Sequence, residues 1–343
     1  LDGEHMKYSV GYKISRNNGL VNKIIECKES ISEVYFSWGG FPNGRNNQLK
    51  TDGFTPWQAQ QKQMEDLKIL NENGLKFNLL FNAMCYGAES QSRAFFEKIG
   101  ETADFIKSEF NLKSVTVTSP LIARFIKDNF SDIDVRASVN MSIGTVEGMD
   151  YVKDYFDSFY LKRELNRDFN AVKKLKDWCG KNGKSLYALA NSGCLNNCSA
   201  HVFHDNLVAH ESEISSRDNG YEFDGICKKY LKNAKNAEKL FDITNFIRPE
   251  DVYLYEGLVS SLKLATRVSA NPLAIIGAYI NDGKYSGNVL DLLEPNHSAV
   301  FYPKIIDNAK IISRTDNGRL IYENTGGATV NLENIGQNFL EYE

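Results

Sequence analysis

The chain has 343 residues, of which 42% are hydrophobic and 24% charged, the balance of a globular protein rather than a disordered one. Its formal charge of -4 advertises no deep basic groove or clear stripe of Lys and Arg, which leaves nucleic acid as a partner only through a local patch. No apolar run approaches the roughly 18 residues a membrane-spanning helix needs, so no membrane contact is expected and the cytoplasm is the expected compartment.

Residues Leu1–His5 read as a non-native leader ahead of Met6, which sets His5 aside from any metal argument. After Met6 polar and apolar positions alternate as in a strand, and no signal peptide is read there. The chain then switches repeatedly between short apolar or alternating runs and longer helical patterns. Strands are expected at Tyr8–Tyr12, Glu33–Trp38, Lys76–Asn82, Ser114–Thr118, Asp134–Val139, Ser158–Lys162, Ser185–Ala190 and Ser261–Ala265. Helices are expected at Pro56–Glu72, Ser92–Ser108, Leu121–Asn129 and Ala171–Cys179, with Leu273–Asn281 as the last. Eight strands alternating with helices predict an α/β fold, a TIM-like (β/α)8 barrel over residues 6–295. A long insertion, 191–244, separates strands seven and eight, and an excursion of that length suits a lid or a bound cofactor. Its second half, Cys227–Leu240, reads as helical. Residues 296–343 read as a short extension or barrel cap, with strands expected at Val300–Ile306 and Ala309–Ile312 near a Gly-containing turn.

Six cysteines occur, Cys27, Cys85, Cys179, Cys194, Cys198 and Cys227. With no secretion signal read, reduced thiols or metal ligands are expected in preference to disulfides. The strongest chemical feature is Cys194-Leu195-Asn196-Asn197-Cys198, followed by His201, His204 and His210 and later by Cys227. Thiolates and imidazoles suit zinc and iron, and clustered thiolates suit iron–sulfur. Cys194 and Cys198 fall just past strand seven, at the end of a barrel that carries active sites. A C-x3-C pair alone is not specific: a metal or cluster, a redox-active thiol pair and structural thiols all fit it. Cys85, at the end of strand three, reads as a fourth ligand reached by the long loop, a substrate-contacting thiol, or a small buried side chain. Cys27 and Cys179 read as packing residues on helices. His204 and His210 are candidates to bind metal or move a proton, while His297 reads as turn chemistry.

Several short motifs then occur in a recognisable order. They are Arg163-Glu164-Leu165-Asn166, Asn191-Ser192-Gly193-Cys194 through Cys198, His204–His210 and Ile247-Arg248-Pro249-Glu250-Asp251. Leu262-Lys263-Leu264-Ala265-Thr266-Arg267 and Tyr285-Ser286-Gly287-Asn288 through Leu293 complete the set. In these the chain resembles the peptidase U32 family, the collagenase-like peptidases, and most of all its divergent barrel members. That family includes proteins described as proteases and iron–sulfur proteins linked to oxygen-independent hydroxylation. The resemblance implies a barrel that holds a four-iron cluster through late cysteines, here Cys194, Cys198 and Cys227. The larger cysteine set of the hydroxylase-like members is incomplete, which leaves Cys85, a histidine or a nonprotein ligand for the fourth position.

Charged residues at strand ends supply the rest of the expected site. Lys263 and Arg267 bracket the end of strand eight and suit a carboxylate or phosphate, and Glu164 after strand six suits proton transfer. An ion-pair network at the rim is the competing reading. Asn82, Asn140 and Asn191 fall near strand ends, where amides orient a substrate or close turns. Arg248 and Glu250-Asp251 around Pro249 read mainly as helix capping, and Asn43-Gly44-Arg45 as a flexible loop. Neither G-x-S-x-G nor H-E-x-x-H is present, so hydrolysis would rest on a Cys85–histidine pair made by folding. The expected function is an iron–sulfur-dependent oxidoreductase or oxygen-independent hydroxylase-like enzyme. Glu164, Lys263, Arg267 and His204 would act on a small organic or prosthetic-group-like substrate, with an electron-donor or other partner protein. The alternatives are a U32 peptidase or a nonenzymatic maturation or binding protein, with zinc or no cofactor.

Overall fold

The structure is a computed structural model that describes residues 5–44, 53–214, 217, 223–281 and 283–330. Eight parallel strands close into a barrel in sequence order. They are β1 (Tyr8–Gly11), β2 (Ile31–Phe36), β3 (Phe77–Phe81), β4 (Leu112–Val117), β5 (Asp134–Ala137), β6 (Ser158–Tyr160), β7 (Ser185–Leu189) and β8 (Ser261–Leu264). Each expected strand is found, within about two residues at either end, and β8 pairs with β1 to close the ring. No helix among the described residues is long and apolar enough to cross a membrane.

Period-two alternation divides each strand between two environments. In β3, Phe77, Leu79 and Phe81 join the apolar layer under the helices. Asn78, between them, donates to Glu33 on β2 at 3.0 Å. Glu33 also accepts from Ser9 on β1 and Ser114 on β4, both at 2.9 Å. It is 2.6 Å from the Arg136 guanidinium on β5. A carboxylate on β2 touched from four other strands lies inside the barrel, so the interior is polar at this level. Burial alone would push Glu33 up, but Arg136 and the two hydroxyls outweigh it and hold the carboxyl below its usual range. Above that pair, the Tyr187 ring stacks on Arg136 at 3.7 Å. Tyr160 lies between Arg136, at 5.8 Å, and the Lys263 ammonium, at 5.2 Å.

The helices begin where capping chemistry dictates. Thr55 and Gln58 form a capping box ahead of Pro56–Glu72, with Pro56 in the first turn. Ser92 caps Arg93–Glu109, whose Phe95, Ile99, Ala103 and Ile106 recur at helical spacing and are buried. Within the insertion, the expected single helical stretch is instead three short helices, Ile226–Leu231, Ala234–Ala237 and Leu240–Ile243. Asn233 breaks the first from the second by capping the latter.

The C-terminal strands differ from expectation. Residues Ser298–Phe301 are helical, and only Lys304–Ile305 remain of the expected strand at Val300–Ile306. The main element is a hairpin, Ile311–Asp316 against Arg319–Asn324. Its two-residue turn, Asn317-Gly318, has φ of 48° and 77°, the left-handed pair that matches strand twist. The hairpin sits beside the segment that joins β6 to its helix, through Leu320 N–H to the Arg167 carbonyl and Phe169 N–H to the Gly318 carbonyl. Arg248 fixes it further, donating to Asn308, the Ile311 carbonyl and Ser313. That anchoring is the main work of Arg248, with Pro249 opening a 3-10 helix as capping predicts.

Candidate functional site

The ends of the strands build two adjoining cavities. The first lies over the barrel interior and measures about 50 Å³. Tyr35, Leu80, Val139 and Leu189 form its apolar lining, and Lys263, Arg267, Arg163, Asn82 and Asn140 bring polar atoms to it. Lys263 lies with its ammonium 3.8 Å from the Tyr35 ring. Arg267 donates to Asn43 at 2.8 Å, and Gly44 N–H to Asn82 at 3.0 Å, so the loop after β2 closes one side. A side chain at Gly44 would collide with Asn140 Nδ2, at 2.7 Å, which explains the glycine. Arg45, read with this loop from the sequence, lies outside the described residues.

Arg163 is a cation at this mouth that sequence reasoning noted but did not single out. One guanidinium nitrogen donates to Asn140 Oδ1 and another to His201 Nε2, both at 2.6 Å. Its Nε is buried with no hydrogen-bond partner. Glu164 turns the other way: its carboxylate accepts from Asn197 N–H at 3.3 Å, inside the cysteine loop. Asn191 proves structural, since its amide bonds to both Ala265 backbone groups and to the Leu292 carbonyl, joining the ends of β7 and β8.

The second cavity, about 370 Å³, is lined by Cys194, Cys198 and Cys227 with His201, His204 and Asp205. All three thiols are free. Cys227 has its thiol pushed up, mainly by burial and to a lesser degree by the neighbouring Cys194 and Cys198. Among the described residues, no three His, Cys, Asp or Glu side chains are gathered on one point that would hold a single metal ion. A four-iron cluster asks for something different, because each thiolate binds a separate iron and the sulfurs stand apart around it. Three thiols with two histidines are donors of the type that either a zinc ion or a cluster takes. Cys85 is not part of this lining; it sits after β3, four strands from β7, with Gly87 N–H 3.4 Å from its sulfur. His204 packs on the Phe223 ring, and His210 lies 3.6 Å from Glu213.

The cysteine loop is held tightly. Gly193 N–H donates to the Glu294 carbonyl at 2.7 Å, and Asn196 N–H to the Ile243 carbonyl at 2.7 Å. His297, read from the sequence as turn chemistry, is fully buried, and its Nε2–H donates to the Gly193 carbonyl at 2.8 Å. Burial pushes this imidazole below its ordinary value despite that bond, so it serves as a neutral tether. No sequence signal marked it, because a lone histidine after Pro295 carries no spacing.

The two cavities share a wall made of Val268 and Glu294. They are also joined through Arg163, which lines the mouth, and His201, which lines the thiol cavity 3.0 Å from Asp205. No family model matches the chain. An uncharacterized protease of Methanocaldococcus jannaschii, MJ1657, is 24% identical over 299 residues, covering 82% of each chain. The solved structure of the U32 peptidase Mk0906 shares 13% identity with a TM-score of 0.52, covering 77% of this chain and 93% of that one. The chain is thus similar to a U32 peptidase in its barrel fold, and to a protein named as a protease over most of its length. The U32 likeness carries the closed barrel and most of its length; at this identity it does not carry the thiols or the cations.

Proposed function

We propose that the chain is a U32-type enzyme that holds an iron–sulfur cluster in the thiol cavity and binds the anionic end of a small organic substrate in the mouth. The observation that carries this reading is the shared wall: Val268 and Glu294 line both the cavity that holds the three thiols and the mouth that holds Lys263, Arg163 and Arg267. Cys194, Cys198 and Cys227 would hold three irons, leaving the fourth to His204 or a nonprotein ligand. When bound, such a cluster supplies electrons or a Lewis-acidic iron.

The chain's own residues do the rest. Lys263, Arg163 and Arg267 neutralise an incoming anion in a water-poor space, where charge-assisted hydrogen bonds are strongest. The buried Nε of Arg163 is an available donor for it. Asn82 and Asn140 fix its orientation. Glu294, in the wall between the cavities, is placed to hold or pass a proton. The mouth is small and its polar lining is mainly cationic and amide, which suits the anionic end of a substrate.

The second reading is peptide hydrolysis, favoured by the protease name of the archaeal relative and by the His201–Asp205 contact beside the thiols. Against it, His201 Nε2 already accepts from Arg163, and the Cys227 thiol is pushed up, where an activated nucleophile needs it pushed down. Anaerobically purified protein is expected to show the visible absorption of an iron–sulfur chromophore, perturbed by small mono- or dicarboxylates. Lys263→Met with Arg267→Met is expected to abolish the perturbation without bleaching the chromophore. Peptide hydrolysis by colourless protein that persists after purification would replace this reading with the second.

A further inference from the structure

Beside the thiol cavity the surface changes character. Five lysines, Lys228, Lys229, Lys232, Lys235 and Lys239, fall within twelve residues, and all five are exposed. Only Glu238 opposes them in that stretch, so its net charge is about +4 in a chain whose total is -4. Among the described residues none of the five is paired with a carboxylate, whereas Lys23, Lys62, Lys107, Lys127 and Lys153 all are. This is the basic patch that the overall charge concealed.

Apolar side chains accompany it. Val202 and Phe203 are 62% and 57% exposed, and Ile226 and Tyr230 are 47% and 43% exposed. Phe203 packs edge-on against Phe223 at 5.2 Å, which ties the helix His201–Ala209 to the chain entering Ile226–Leu231. Both helices contribute to the thiol cavity, through His201, His204, Cys227 and Lys228. Exposed apolar side chains next to a lysine-rich stretch are the makings of a protein-docking surface; Glu211 and Asp224 line the cavity itself, so it is the lysine stretch from Lys228 to Lys239 whose charge selects an acidic partner.

We infer that this face docks a small acidic electron-carrier protein, which exchanges single electrons with the group held in the thiol cavity. The inference rests on the cluster reading above for its redox sense, while the docking itself rests on the surface alone. Nucleic acid is the less favoured occupant. The stretch contains no arginine, the cation that pairs bidentately with phosphate, and of the two exposed rings of the patch Phe203 is already packed on Phe223, leaving Tyr230 for a base to stack on. Beyond the patch, the acidic remainder of the chain repels a long polyanion.

The test is calorimetric titration of the full-length, anaerobically purified protein with an acidic plant-type ferredoxin, at low and high salt. A single-stranded RNA oligonucleotide is titrated in parallel. The exposed triple variant Lys229→Glu, Lys232→Glu, Lys235→Glu leaves every cavity-lining residue in place. Ferredoxin binding that weakens with salt, and falls at least about tenfold in the variant, is the expected result. No ferredoxin binding, equal binding by the variant, or tighter binding of RNA than of ferredoxin would overturn it. Iron and sulfide measured on the same samples separate the two readings. Docking lost with the iron content unchanged tests the surface, while docking retained by iron-free protein counts against the cluster alone.

Discussion

Replacing Arg136 by Met is expected to lower the stability of the barrel by about 3–5 kcal/mol, the usual cost of removing one partner from a buried ion pair. Arg136 and Glu33 are both almost wholly buried and 2.6 Å apart. Without the guanidinium, Glu33 keeps only the Ser9, Asn78 and Ser114 donors at a buried position. Arg136 also loses its Tyr187 stacking and its contact with Asp134 at 2.8 Å. Pairing the change with Glu33→Gln, which leaves no naked charge, is expected to recover most of the loss. The pair also sets an acid limit. Glu33 has its folded pKa below the ordinary value of 4.5, so its contribution is complete above that value. It is lost as pH falls through the folded pKa. Urea unfolding from pH 7 down to pH 3 should therefore show a decline in the native protein that Glu33→Gln reduces. An Arg136→Met protein within about 1 kcal/mol of native would show that the interior network is not a paired charge.

Gly193→Ala is expected to cost about 1–3 kcal/mol and to loosen the cysteine loop, because the new methyl group has nowhere to go. Its Cβ would lie 2.4 Å from the Pro295 carbonyl oxygen and 3.1 Å from Leu293 Cβ. The nearest of these atoms is backbone, held in turn by Glu294 and His297 against the same glycine. The strand end and the crossing segment must therefore part. Cys194 is the next residue, so the shift displaces a thiol directly. A lower melting temperature together with reduced iron content is the predicted outcome. A melting curve and iron content like those of the native protein would mean that the close approach does not position the loop.

The barrel was legible because its signal is repeated. Eight alternations of short strand and helix leave few other closed arrangements, and caps such as Thr55-Pro56 and Ser92 mark the boundaries. The polar lining was not legible, since Glu33 and Arg136 are more than a hundred residues apart and only the closed barrel brings them together. The same is true of Arg163, which looked equivalent to Glu164 until the turn after β6 sent one side chain to the mouth and the other to the cysteine loop. Cys194, Cys198 and Cys227 were readable as a group, because cysteine is scarce and the first two are closely spaced. Cys85 was offered as a fourth ligand from its place at the end of strand three, and the structure leaves it out of the thiol cavity, four strands round the barrel from β7. The hairpin at Asn317-Gly318 carried a strong local signal, an Asn-Gly turn between alternating runs, that was read only as a glycine turn near shorter strands.

The most direct test is the amount of iron and acid-labile sulfide per chain after strictly anaerobic purification. The account predicts near-equal amounts of both, lost together when Cys194, Cys198 and Cys227 are replaced by Ser and retained when only Cys85 is replaced. Folded native protein with neither element, or a triple variant that keeps both, would contradict it.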